Sequence, residues 1–389
     1  MRTGLERWIA EAAGAYRDAR IGLACNHTAV DASLRHALPL CTAAGAPVRR
    51  LFAPEHGIDA TAQDMIGVDD EQRTTEVVSL YTDSEESLRP DPATLSDLDV
   101  LLFDIQDVGA RYYTYQATLG YIMEVAATTG TKVIVLDRPN PINGVDVEGN
   151  QLQPGHASFV GAYPLAVRHG MTMGEMGRLF RDHVGIDVDL EVVECEGWRR
   201  DQWFDETGLP WVYPSPNMPT LETAVIYPGL CLIEGTNLSE GRGTTRPFHL
   251  VGAPWLDADK MADYCAKGAA DAGLRGVAFR PAHFLPQFQK HAGAECSGIE
   301  IFVHDRNALE SFTLGLVVIE AALRLNPDRF RWRTETYEFV DEPIAIDLLT
   351  GSAEARVGLE SRVRPLELVE AWKPELAAWE EIRREYLLY

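Results

Sequence analysis

The stretch LFAPEHGIDA, residues 51–60, sets a carboxylate and an imidazole side by side, Glu55 and His56, directly after an apolar run. Three more polar clusters follow apolar runs in the same way: Asn26-His27, Asp104-Ile105-Gln106-Asp107 and Asp137-Arg138-Pro139-Asn140. Taken singly, each suits a helix cap, because Asn and Asp side chains accept from the orphan N–H groups of a helix start. Four in succession suit a shared rim. Carboxylates on such a rim suit glycoside cleavage, which needs one acid held protonated for the leaving oxygen and one ionised carboxylate to activate water or attack the anomeric carbon. Glu55 fits the acid, since Pro54 and the nearby Leu51 and Phe52 would favour its protonated form. A second carboxylate, Glu124, lies in the apolar TYQATLGYIMEVAA. A charge buried there unpaired costs several kcal/mol, so it needs a purpose, unless that helix position faces solvent.

The loop EGTNLSEGRGTTRPF (234–248) is the most unusual stretch, with Asn237, Glu240, Arg242 and Arg246 among small residues. Arg recognises carboxylates through a planar fork, so a lactyl or other carboxyl group on a ligand would suit it. The plain alternative is a surface loop, against which the flanking Pro228 and Pro247 argue. A rival chemistry uses His27 and His56 with Asp104, Asp107 or Asp137 as ligands for zinc or another divalent ion, as in a metal-dependent hydrolase or deacetylase. No tight spacing supports it, and no metal is expected. A third reading is a carbohydrate-binding protein without catalysis. His169, His183, His283 and His304 have no partner pattern. No GxGxxG follows the first strand and no GxxxxGK[ST] occurs, so neither common nucleotide-phosphate site is supported, and GxSxG and HExxH are absent too.

The elements that must hold these residues alternate. Strands are expected at IGLAC (21–25), VRRLFAP (48–54), DVLLFDIQ (99–106), KVIVLDRP (132–139), DLEVVEC (189–195) and ETAVIYPG (222–229), with helical segments ASLRHALPLCTAAG and TYQATLGYIMEVAATTG between. Apolar strands alternating with helices predict an α/β fold, a mostly parallel sheet with helices on both faces. Ligands bind at the carboxyl ends of strands in such sheets, which is where the four clusters fall. Beyond residue 250 come a helix (WLDADKMADYCAKGAADAG), two strands (GVAFRPAHF, GIEIFVHD), a helix (ALESFTLGLVVIEAALRL) and a helical tail. These predict a smaller α+β C-terminal domain over 251–389, closing a cleft against a catalytic domain of 1–250. The Pro-rich WVYPSPNMPT (211–220) reads as an ordered connector.

Composition narrows the partners. The chain has 389 residues with 35 basic against 59 acidic side chains, a net charge of −24 that opposes nucleic acid and anionic membranes. Six cysteines fall singly, which suits reduced thiols. The N-terminal segment is broken by Glu6, Arg7 and Glu11 and reads as an amphipathic helix rather than a signal peptide, so a cytoplasmic protein is expected. No apolar run approaches the roughly 20 residues that span a bilayer. The oligomeric state is left open.

Longer motifs go further. The set N26-H27-T28, A53-P54-E55-H56-G57, SLY (79–81), FDIQDVGARYYTY (103–115), YIMEVA (121–126), VLDRPNP (135–141), PNMPT (216–220), YPGLCLIEGTNLSEGRGTTRPF (227–248), CSGIEIFVHDR (296–306) and the terminal YLLY resembles the exo-acting β-N-acetylmuramidases of the NamZ type. The resemblance implies a Rossmann-like N-terminal domain, a cleft against a smaller C-terminal one, no cofactor, and release of N-acetylmuramic acid from non-reducing ends of peptidoglycan fragments. It implies two catalytic glutamates: Glu55 of PEHG as general acid, and Glu124 of YIMEV as base or nucleophile, with Glu234 and Glu240 as alternatives in a matching motif. Asn26, His27, His56, Asp104, Gln106, Asp107, Arg138, Asn140, Asn237, Glu240 and Arg242 are the expected sugar ligands. The segment 58–78 is shorter and more acidic than is usual for the family after PEHG, so saccharide preference is expected to be decided there. A cytoplasmic member would act in recycling muropeptide sugars.

Overall fold

The structure, a computed structural model, describes residues 1–62 and 75–389. Most of the stretch expected to set saccharide preference therefore lies outside the described residues.

Six strands, β1 (Ile21–Cys25), β2 (Val48–Ala53), β3 (Glu76–Ser79), β4 (Val100–Asp104), β5 (Lys132–Leu136) and β8 (Leu190–Val193), form one parallel sheet in the order β3-β2-β1-β4-β5-β8. The central strands are apolar along their whole length because both faces are covered. Alternate side chains supply separate cores. Ile21, Leu23, Leu51, Leu102 and Ile134 pack on one face with Leu5 and Trp8 of the N-terminal helix Gly4–Glu11, while Ala24, Phe52, Phe103, Val133 and Val135 face the other. That helix starts where the Thr3 side chain accepts from the Glu6 N–H and Glu6 returns the bond, a reciprocal cap.

Two antiparallel sheets complete the chain: β6 (Glu148–Gln151) with β7 (Ala166–Arg168), and β9 (Leu250–Ala253), β10 (Val277–Phe284) and β11 (Cys296–Val303) in the order β10-β11-β9. The latter is the smaller α+β unit, covered by helix Ala258–Asp271, on which helix Ser311–Leu325 packs. Its core runs on into one face of the parallel sheet. The final residue returns to that sheet as well, the Tyr389 hydroxyl donating to Asp137 Oδ2 at 2.7 Å. All six cysteines are buried thiols, with no disulfide among the described residues.

ETAVIYPG corrects the strand expected at 222–229: it lies in the helix Leu221–Leu230, which begins where the Thr220 side chain accepts from Thr223 N–H. Nearly every residue of this helix is buried, so it shows no polar face, and its Val-Ile-Tyr run has strand composition. It crosses helix Ser311–Leu325 at Gly229 and Gly315, so closely that a Cβ on Gly229 would lie 1.7 Å from the Ser311 carbonyl oxygen. Among the described residues no helix is long and apolar enough to cross a membrane.

Candidate active site

The chain leaves β2 at Ala53 and turns at once. The Gly57 N–H donates to the Pro54 carbonyl at 3.0 Å, and His56 and Gly57 both take left-handed backbone angles, φ 71° and 80°. That conformation is free for glycine and costs a histidine of order 1 kcal/mol or more. His56 is held in it by its own ring, whose Nδ1 meets the Ala62 carbonyl at 2.9 Å. The turn leaves the Glu55 side chain buried, and the Thr114 hydroxyl donates to Glu55 Oε2 at 2.6 Å from the start of helix Tyr115–Thr129.

Glu55 lines a small, partly open cavity of about 40 Å³. Its walls come from four parts of the chain: Glu55 and His56; Tyr112, Tyr113 and Thr114 after β4; Ser215, Asn217 and Met218 of the Pro-rich connector; and Glu234, Arg242, Phe248, Tyr337 and Glu338 from the C-terminal half. Glu234 is buried, with Arg242 Nη2 2.6 Å from Oε1 and the Tyr337 hydroxyl donating to Oε2 at 2.8 Å. Burial pushes this carboxyl up, but the Arg242 charge and the two hydrogen bonds more than offset it and hold it below the usual carboxylate range. Arg242 also pairs with Glu240 at 3.2 Å and stands over the Phe248 ring at 5.2 Å. Glu338, buried as well, accepts from the Tyr81 hydroxyl at 2.9 Å. One cavity thus presents three carboxyl groups, one of them pinned as the anion.

Of the expected residues, Glu55, His56, Arg242 and the alternative Glu234 line this cavity. Asn237 and Glu240 line a neighbouring groove that shares the Glu234 wall, and Glu240 pairs there with Lys290 at 2.8 Å. Glu124 is elsewhere. It lies ten residues along its helix from Thr114, about 15 Å of axial rise, half-exposed, its carboxylate taken up by Arg89 Nε at 3.0 Å and the Tyr163 hydroxyl at 2.8 Å.

The remaining strand-end residues are bound to one another or to the backbone. Asp104 and Arg138 form a buried fork, Nε to Oδ1 at 2.5 Å and Nη2 to Oδ2 at 3.1 Å. Asn26 holds the Tyr115 hydroxyl and the Thr28 turn, and His27 Nε2 donates to the Tyr213 carbonyl at 2.5 Å. Gln106 donates to the carbonyls of Asp107 and Pro139, Asp107 caps Gly109 N–H at 2.6 Å, and Asn140 donates to the Met171 carbonyl. The crevice where strand order reverses, beyond β1 and β4, is narrowed to a hollow of about 10 Å³ by Phe204, Leu209, Pro210 and Val212. Among the described residues no three His, Cys, Asp or Glu side chains are grouped to hold a metal ion.

The tyrosines, Ser215, Asn217 and Glu338 were not among the expected ligands. YYTY and PNMPT flag the first groups by composition, but nothing local to Tyr337 and Glu338 does.

The comparisons with known proteins agree with this architecture. The family models described as "Exo-beta-N-acetylmuramidase NamZ, N-terminal" and "C-terminal" match residues 21–222 and 225–389. The chain belongs to the NamZ family. By that membership it is a glycosidase. The peptidoglycan beta-N-acetylmuramidase NamZ of Bacillus subtilis strain 168 is 40% identical over 393 aligned positions, covering 100% of this chain and 91% of that protein. Two crystal structures of DUF1343-family proteins from Bacteroides fragilis superpose over 100% of this chain and 98% of theirs, with TM-scores of 0.88 and 0.74 at 31% and 27% identity. The NamZ family models divide the chain at 222–225, so the helix Leu221–Leu230 begins at the join and the Glu234 to Phe248 loop falls in the C-terminal part.

Proposed function

We propose that this NamZ-family glycosidase releases N-acetylmuramic acid from the non-reducing ends of peptidoglycan fragments by a two-carboxylate mechanism. Glu55 is the general acid. Its Oε2 is occupied by the Thr114 hydroxyl, which leaves Oε1 to carry the proton for the leaving glycosidic oxygen. The ionised partner is Glu234, which Arg242 keeps deprotonated in the same cavity to activate water or to stabilise the oxocarbenium-like transition state. Glu124 is instead a structural carboxylate, for it does not line that cavity and its oxygens are taken up by Arg89 and the Tyr163 hydroxyl. The observation that carries this reading is the shared cavity of Glu55 and Glu234 in a chain whose Bacillus subtilis relative is a peptidoglycan beta-N-acetylmuramidase.

The test is release of the sugar from a chromogenic N-acetylmuramide and from a defined muropeptide disaccharide. Glu55→Gln and Glu234→Gln are each expected to lose about 10²–10⁴-fold in kcat, while Glu124→Gln stays within a few fold of the parent. Equal rates for Glu55→Gln and parent would sink the acid assignment. Loss in Glu124→Gln with retention in Glu234→Gln would return the second role to Glu124.

A further inference from the structure

We propose that Tyr113 is a specificity residue whose hydroxyl donates to the acetamido carbonyl of the sugar in the Glu55 cavity; this rests on the function proposed above. Four cavity hydroxyls have definable fates. Thr114 donates to Glu55, Tyr337 to Glu234, and Tyr112 to the Pro228 carbonyl. The Tyr113 hydroxyl, in a side chain only 6% exposed, has no hydrogen-bond partner among the described residues. Ser215 and Tyr115 lie close enough to interact with it, but neither contact has hydrogen-bond geometry. The Tyr115 hydroxyl is committed to the Pro214 carbonyl and accepts from Asn26.

The ring is not free to turn and seek a partner. It stands edge to face against Tyr115 at 5.0 Å and against Tyr227 at 5.6 Å, in a ladder that continues to Phe248. An unpaired buried hydroxyl is a net cost to folding, one that phenylalanine in the same place would avoid. A ligand acceptor removes that cost. Burial pushes the phenol up, so it stays protonated and acts as a donor. The cavity that offers this donor is lined by apolar Val160, Met218 and Phe248. One strong neutral acceptor with a methyl group beside it is the chemistry of an acetamide.

Tyr113→Phe removes the oxygen alone, and three readouts on the full chain decide the matter: kcat/KM on a chromogenic N-acetylmuramide, calorimetric Kd for N-acetylmuramic acid and for muramic acid, which lacks the acetyl group, and Tm. The expected result is about a tenfold loss in kcat/KM and in N-acetylmuramic acid affinity, the worth of one neutral hydrogen bond. Muramic acid affinity should be the same in both proteins, and Tm unchanged or raised. Unchanged affinity for N-acetylmuramic acid, an equal loss for both sugars, or a lowered Tm would each overturn the assignment. A parent protein that binds and turns over neither sugar would overturn the proposed function instead, and Tyr113 with it.

Discussion

Asp104 and Arg138 stood among the expected sugar ligands, and their geometry makes a different prediction. Asp104 closes β4, Arg138 follows β5, and the guanidinium forks onto the carboxylate at 2.5 and 3.1 Å with side chains 0% and 5% exposed. Arg138 Nη2 also donates to the Val30 carbonyl at 3.0 Å. Asp104→Asn keeps the shape and removes the charge, leaving a guanidinium buried among groups that cannot neutralise it. Such a break costs about 3–5 kcal/mol. For a cooperative unit of about 200 residues, each kcal/mol moves Tm by roughly 2–4 °C, so a fall of about 6–20 °C is expected. Replacing both residues by apolar ones, Asp104→Leu with Arg138→Met, should cost less than the two single changes added together, by about 0.5–3 kcal/mol. Scanning calorimetry measures the stability cycle, and KM on a chromogenic N-acetylmuramide at a temperature where all variants are folded measures the affinity. A raised KM in Asp104→Asn at unchanged Tm would refute the reasoning and restore the pair as ligands.

Two further predictions concern stability away from the cavity. Burial pushes Glu175 up to about 7 from the ordinary 4.5, partly offset by Arg200; because the folded protein holds this proton more tightly, its contribution is full below about pH 4.5 and lost as pH rises through about 7, at most about 3 kcal/mol. Tm should therefore fall over that window from this group, and Glu175→Gln should flatten the slope; an identical slope in melts at pH 5, 6, 7 and 8 would refute it. Gly229→Ala should lower Tm by several degrees, since its Cβ meets the Ser311 carbonyl at 1.7 Å and Gly315 N at 2.9 Å, backbone atoms that yield only if the two helices separate; an unchanged melt would mean that the crossing is looser than described.

The parallel sheet was legible because a strand buried on both faces writes a continuous apolar run, as in VLLFD and KVIVL. The short outer strands β3 and β9 write four residues each and passed unnoticed. ETAVIYPG misled for the opposite reason: a helix enclosed on every side carries no period of 3.6 residues to read. At the strand ends, the sequence places the polar clusters but not the partners each side chain takes. Asn26, Asp104, Gln106, Asp107 and Asn140 have the residue types of ligands, and type alone does not distinguish a side chain that holds a sugar from one that holds a turn.

What separates Glu55 from those neighbours is where its partners come from. Asp104 finds a guanidinium one strand away, and Asp107 and Asn140 find backbone groups within a few tens of residues. Glu55 finds one hydroxyl, from Thr114, and shares its cavity with groups contributed from beyond residue 214. The cationic side of the cavity is Arg242, and the anchors of Glu234 and Glu338 are Tyr337 and Tyr81, so each half of the chain presents chemistry that the other half completes. The Thr114 to Glu55 bond lies wholly within 1–222, whereas Glu234, Arg242 and Glu338 come from the C-terminal part. A continuous core between the parallel sheet and the C-terminal unit, with Tyr389 tied back to Asp137, is what keeps the two carboxyl groups in register.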